Sequence, residues 1–167
     1  MTEPALRPVT FRPIGVIRTP FTTTDGMPIQ AVAAVGVRGR IDLDPEFAEG
    51  LRDLDGFSHL TLLYHLHLVT SPRLTVTPFL DDQPHGIFAT RSPSRPNPIG
   101  LSTVRLVAIS GSSVEVEDVD MVDGTPLLDI KPYVPAFDDR ERARIGWFSR
   151  RLDRLDGTRA DRRFAPP

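Results

Sequence analysis

Apolar and polar residues alternate with a period of two along most of the chain. The clearest run is Phe57–Leu68. There Leu60, Leu62, Tyr64, Leu66 and Leu68 fall on one face, and His59, Thr61, Leu63, His65 and His67 on the other. Such alternation marks a strand with one buried face. Phe11–Arg18 reads as a second strand, and Gln30–Leu43 as a longer one with a bulge at Gly36 or Gly39. Asp44 followed by Pro45 predicts a capped helical turn that Gly50 ends. Arg73–Pro78 predicts a short strand, and Ile99–Ser110 and Ser112–Asp120 flank Gly111 as a hairpin. Thr125–Tyr133 is one more extended segment. Helical spacing occurs in one place, Asp138–Gly157, where Ile145, Phe148, Leu152 and Leu155 share a face.

Many short strands punctuated by glycine and proline predict a mainly β protein. The expected architecture is a closed or nearly closed β-barrel with short helices and one C-terminal helix. Residues 1–137 form the barrel, and residues 138–167 an Arg-rich helix and tail of the same domain. Seventeen prolines against twelve glycines stiffen the connections and disfavour long helices elsewhere. The absence of cysteine excludes disulfides, thiolate metal sites and a cysteine nucleophile. A net charge of −2 is wrong for a uniformly basic nucleic-acid binder. The charge is uneven, however: Asp138–Arg163 holds nine arginines against six acidic residues, a local +3. That stretch is either a solvated face laced with ion pairs or a phosphate-contacting surface. The N-terminus lacks an apolar leader and no stretch approaches ~18 apolar residues, so a cytoplasmic protein without a membrane span is expected.

Three clusters could carry chemistry. His65 and His67 are two apart on a predicted strand, a metal-ligand spacing familiar in cupin barrels. A third ligand would have to come from His59, His85, Asp81 or Asp82, and structural or ligand-lining roles are equally open. The second cluster is Asp123-Gly124-Thr125-Pro126, a turn by composition, followed by alternating Asp129, Lys131 and Tyr133. The third is ATRSPSRPNPIG, residues 89–100, where Pro93, Pro96 and Pro98 stiffen a loop bearing Arg91 and Arg95. Guanidinium forks suit carboxylate or phosphate. The common nucleotide-binding, serine-hydrolase and zinc-protease motifs are absent.

The stretches IGVIRTPF, GLRDLDGFSHL, GIFATRSPSRPNPIGLS and DVDMVDGTPLLDIKPYVPAFD together resemble the TrmO, or TsaA-like, family over Phe11–Asp138. The resemblance implies a β-barrel methyltransferase that uses S-adenosyl-L-methionine, forms a homodimer, and N6-methylates threonylcarbamoyladenosine at tRNA position 37. It further implies cofactor contacts at Ala31, Val32, Ala33, His67, Leu68, Arg91, Arg95, Leu101, Asp123, Gly124, Thr125 and Pro126. Leu68 stands where the family often has glutamine. No metal is expected. Because the target nitrogen is a poor nucleophile, His67, Asp129 and Tyr133 are the candidates for a general base, in that order. Longer family members carry a further C-terminal domain that engages tRNA; here the segment Arg140–Arg163 is expected to take its place. The competing expectations are a metal-dependent cupin-like enzyme using His65 and His67, and a non-catalytic small-molecule-binding barrel.

Overall fold

The computed structural model describes residues 6–165. Eight strands form: β1 (Gly15–Arg18), β2 (Arg38–Leu43), β3 (His59–His65), β4 (Thr75–Val76), β5 (His85–Gly86), β6 (Ile99–Ser110), β7 (Ser113–Glu117) and β8 (Thr125–Pro132). Six of them close a barrel in the order β1-β2-β7-β6-β3-β8, with β8 pairing back to β1. Every pairing in the barrel is antiparallel. β4 and β5 make a separate two-stranded ribbon.

The alternation read in the sequence is what fills this barrel. Leu60, Leu62 and Tyr64 of β3 point inward, as do Ile17, Ile41, Val104, Val114, Val116 and Leu127 from the other strands. A six-stranded barrel is narrow enough for such side chains to fill it completely. Closure also removes the free strand edges on which an open sheet would aggregate. The hairpin turns at Gly111, whose φ of 59° is left-handed. Asp44 caps the turn Pro45–Leu51 by accepting from the Glu46 amide at 3.3 Å.

Two expected elements differ. Gln30–Leu43 is not one strand. Ala31–Ala33 is a 3-10 turn, Gly36 reverses the chain at φ 77°, and the strand begins only at Arg38. The Asp118 carboxylate accepts from the Gly36 amide at 2.8 Å, and this long-range contact overrides the local β propensity.

The C-terminal helix over Asp138–Gly157 does not form either. A four-residue helix α1 (Pro135–Asp138) is followed by 3-10 turns at Gly146–Arg150, Leu152–Arg154 and Arg162–Phe164. Arg142 and Gly146 both take φ of 58°, which ends any right-handed helix on either side. The segment is instead a strap across one end of the barrel. Ala160 exchanges backbone hydrogen bonds with Gly26 and Met27, both at 2.8 Å.

Gly100 in β6 sits face to face with Tyr64 of β3, and a Cβ there would overlap the phenol ring. Gly100→Ala is therefore expected to lower unfolding stability by about 1–3 kcal/mol, the cost of overpacking a filled core. Urea denaturation of the two proteins checks it.

Candidate functional site

A cavity of about 410 Å³ opens at the end of the barrel where β3 stops and β6 and β8 begin. Its inner wall carries Tyr64, Gly100, Asp120, Met121, Val122 and Thr125. Residues 66–69 and 90–93 form its sides. Most of this surface is apolar, so the few polar groups in it act at low dielectric.

A hydrogen-bonded relay runs along the inner wall. The Ser102 hydroxyl donates to Asp120 Oδ1 at 2.6 Å. Ser102 has one proton, so the Tyr64 hydroxyl, 2.8 Å away, donates to Ser102. The Tyr64 and Ser102 side chains are buried, and Asp120 is half-buried against the cavity. Burial pushes the Asp120 carboxyl up to about 6, although Ser102, the backbone amides of Asp120 and Ala31, and the Arg91 charge all favour the anion. Burial, together with the neighbouring Asp120, also raises the Tyr64 phenol, which stays protonated as the donor at the head of the relay.

The proline-stiffened loop divides labour between its arginines. Arg95 Nη1 donates to the carbonyls of Ile87, Thr90 and Ser92 at 3.2, 2.8 and 3.3 Å. It staples the loop to itself, although it also lines the cavity. Arg91 stays exposed at the rim, where Gln30 Oε1 accepts from its Nη1 at 3.2 Å.

His65 and His67 do not form a metal pair. β3 ends at His65, and the chain then turns tightly, the His67 amide donating to the His65 carbonyl at 2.8 Å. His65 is exposed, whereas His67 lines the cavity with its Nδ1 buried and without a protein partner. Among the described residues no cluster of three or more His, Asp or Glu could hold a metal.

Of the other expected site residues, Leu68, Leu101 and Thr125 line the cavity with His67 and Arg91. Ala31 contributes only its backbone amide to Asp120. Val32 and Ala33 lie outside the lining, and so do Asp123, Gly124 and Pro126. The DGTP turn is held by hydrogen bonds within the chain. Asp123 Oδ1 accepts from the Thr19 amide at 3.1 Å, the Gly124 amide donates to Ile17, and Thr125 Oγ1 donates to Val122. Asp129 and Tyr133 lie farther along β8 and beyond it, engaged with Lys131 and Asp139. Neither is part of the cavity lining.

The strap supplies the outer wall through Trp147, Phe148, Ala160, Asp161 and Phe164. Arg151 ties it down, its Nη2 donating to Asp81 Oδ1 at 3.1 Å. His85 holds the other carboxylate oxygen at 3.1 Å, and the two partners keep the Asp81 carboxyl well below its usual range. Sequence reasoning missed Tyr64, Ser102, Asp120, Trp147 and Phe148. Tyr64 carried a signal: a lone phenol on an inward leucine face needs a polar partner. Asp120, paired with nothing local, carried none.

The tRNA-methyltransferase O N-terminal domain matches residues 16–139. A probable S-adenosyl-L-methionine-binding protein of Pyrococcus abyssi is 51% identical over 156 residues, covering 93% of this chain and 85% of that protein. The human tRNA (adenine(37)-N6)-methyltransferase is 35% identical over 135 residues, 75% of this chain but 30% of the human protein. The crystal structure of TrmO from Pseudomonas aeruginosa superposes with a TM-score of 0.72 at 37% identity, over 84% of this chain and 63% of that one. The barrel and the loops that frame its cavity thus mark this chain as a member of the tRNA-methyltransferase O family.

Proposed function

We propose that the cavity binds S-adenosyl-L-methionine and that the protein methylates N6 of threonylcarbamoyladenosine at position 37 of tRNA. One observation of the site carries the reading: the Asp120 carboxylate and the Arg91 guanidinium share a cavity of about 410 Å³ whose surface is mostly apolar. That volume lies within the roughly 300–1,000 Å³ of small-molecule sites. The methyl donor bears two cationic groups, a sulfonium and an ammonium, and one carboxylate. Asp120 matches the cationic part, and Arg91, steadied by Gln30, matches the carboxylate. Leu68, Leu101, Met121 and Val122 provide apolar walls, and the His67 ring lines the same cavity. The residues present fit the group.

When bound, the donor supplies an electrophilic methyl carbon for an in-line displacement. The chain's part is alignment and exclusion of water, both of which the stiff loop and the closed barrel favour. His67 lines the cavity, and its ring takes the proton of the target nitrogen. Asp120 stays ionised above about pH 6 and holds positive charge beside the reacting centre.

The tRNA surface is the strap. Arg150 and Arg154 project from it into solvent without an ion-pair partner among the described residues, whereas Arg151 is committed to Asp81. A homodimer is supported by apolar side chains left exposed on β6 and the turn packed beside it: Ile99, Leu101, Val32 and Val35. A cytoplasmic site of action follows from the substrate. Among the described residues no helix is long and apolar enough to cross a membrane.

The deciding experiment is mass spectrometry of tRNA nucleosides from a strain lacking the gene. Methylated threonylcarbamoyladenosine should disappear and return on complementation; an unchanged level would remove the substrate assignment. Asp120→Asn should weaken S-adenosyl-L-methionine binding by about 10- to 100-fold in calorimetry, the worth of a charge-assisted contact. Wild-type affinity should fall as the pH drops from 7.5 to 5, because protonation of Asp120 removes the anion, and the Asn variant should lack that dependence. The sign for stability is opposite. A carboxyl raised from 3.8 to about 6 makes ionisation unfavourable in the folded state, so the penalty grows as pH rises through that window. Asp120→Asn should therefore melt higher than wild type at pH 7 while binding the donor worse. Arg150→Glu with Arg154→Glu should weaken RNA binding about tenfold or more at low salt and lower the salt slope by about two.

A further inference from the structure

The strap brings three aromatic rings into one column. The His85 and Trp147 rings stack at 4.5 Å with planes 14° apart, and Trp147 and Phe148 stack at 3.9 Å and 23°. His85 is outside the cavity lining, whereas Trp147 and Phe148 are both in it, so the column meets the cavity at its Phe148 end. The far end is anchored by the bond from His85 to Asp81, whose other oxygen accepts from Arg151. The middle is anchored by Trp147 Nε1, which donates to the Ala89 carbonyl at 2.9 Å, next to the loop that carries Arg91. Both anchors fix ring orientation before any ligand arrives.

A half-buried, rigid aromatic end that faces a cavity rather than the core suits one ligand chemistry above others: a flat heteroaromatic ring. We propose that the Phe148 end of the His85–Trp147–Phe148 column is the purine wall of this site, so that the strap and not the barrel selects the base the cavity accepts. The purine comes either from the methyl donor or from the target nucleotide. The proposal rests on the methyl-donor reading of the cavity only for the first source. The wall lies outside residues 16–139, the part matched by the family domain.

Trp147 is the sole tryptophan, which makes its emission a direct reporter in the full-length protein. S-adenosyl-L-methionine is titrated while heat and emission are followed together. An anticodon stem-loop RNA carrying threonylcarbamoyladenosine is then titrated with the donor present. A saturable emission change is expected in at least one arm, with the same midpoint as the heat. The Kd of that ligand should rise about 5- to 100-fold in Phe148→Leu, the usual range for loss of a base–aromatic stack, and recover in Phe148→Tyr. A response to the donor identifies its adenine as the occupant; a response to RNA alone identifies the target base. If both ligands bind by heat while emission stays flat and Phe148→Leu leaves both constants within about twofold, the wall is overturned. If Phe148→Leu does not fold, the wild-type emission decides by itself. No heat from the donor would instead remove the methyl-donor reading, and the wall is then judged on the RNA arm.

Discussion

Everything at the open end of this barrel is arranged around one half-buried carboxylate, Asp120. Asp120 sits where β3, β6 and β8 come together, at the head of a cavity whose walls are mostly apolar. A charge in that position is costly unless donors surround it. The donors come from separate parts of the chain: Ser102 on β6, backed by Tyr64 on β3, and the Ala31 amide from a turn. Each exists at the right place only because the barrel closes in this register. Gly100 is part of the same constraint, since it leaves the room that the Tyr64 ring occupies.

The loops serve that centre by being rigid. Arg95 gives one guanidinium nitrogen, Nη1, to the carbonyls of Ile87, Thr90 and Ser92, while Arg91 faces outward. The prolines reduce what remains to be ordered. The DGTP turn does comparable work, locking the start of β8 to β1 and the residue after it through Gly124 and Asp123. A site whose frame is this stiff loses little conformational entropy on binding, which is the physical meaning of preorganisation.

The strap completes the enclosure by a different means. It has little regular structure and few buried aliphatic residues, and its position depends on specific polar ties: Arg151 to Asp81, Trp147 to Ala89, and Ala160 to Gly26 and Met27. These are surface or half-buried contacts of modest individual worth. The outer wall is accordingly the part of the site that is cheapest to open.

The sequence alone determined the fold class, because period-two alternation can bury one face only in a sheet, and enough short strands to close a barrel are written in it. It determined the hairpin at Gly111, the Asp44 cap and the rigidity of residues 89–100, all local consequences of residue type. Through a motif that resembles a known family it also named His67, Arg91, Leu68, Leu101 and Thr125, which line the cavity. Tertiary structure alone decided which polar residues face the cavity. Arg91 and Arg95 are indistinguishable in sequence and take opposite roles, one at the rim and one stapling its loop. His65 and His67 share a face on paper and part where β3 ends. Asp120 and Asp123 belong to one short run, yet the first heads the cavity and the second holds a turn. The C-terminal apolar spacing read as a helix because that reading counts only neighbours three and four apart. The contacts that won, from Trp147 and Arg151, reach residues more than fifty positions away. Long-range partners have no local signature, so they become visible only when the chain is folded.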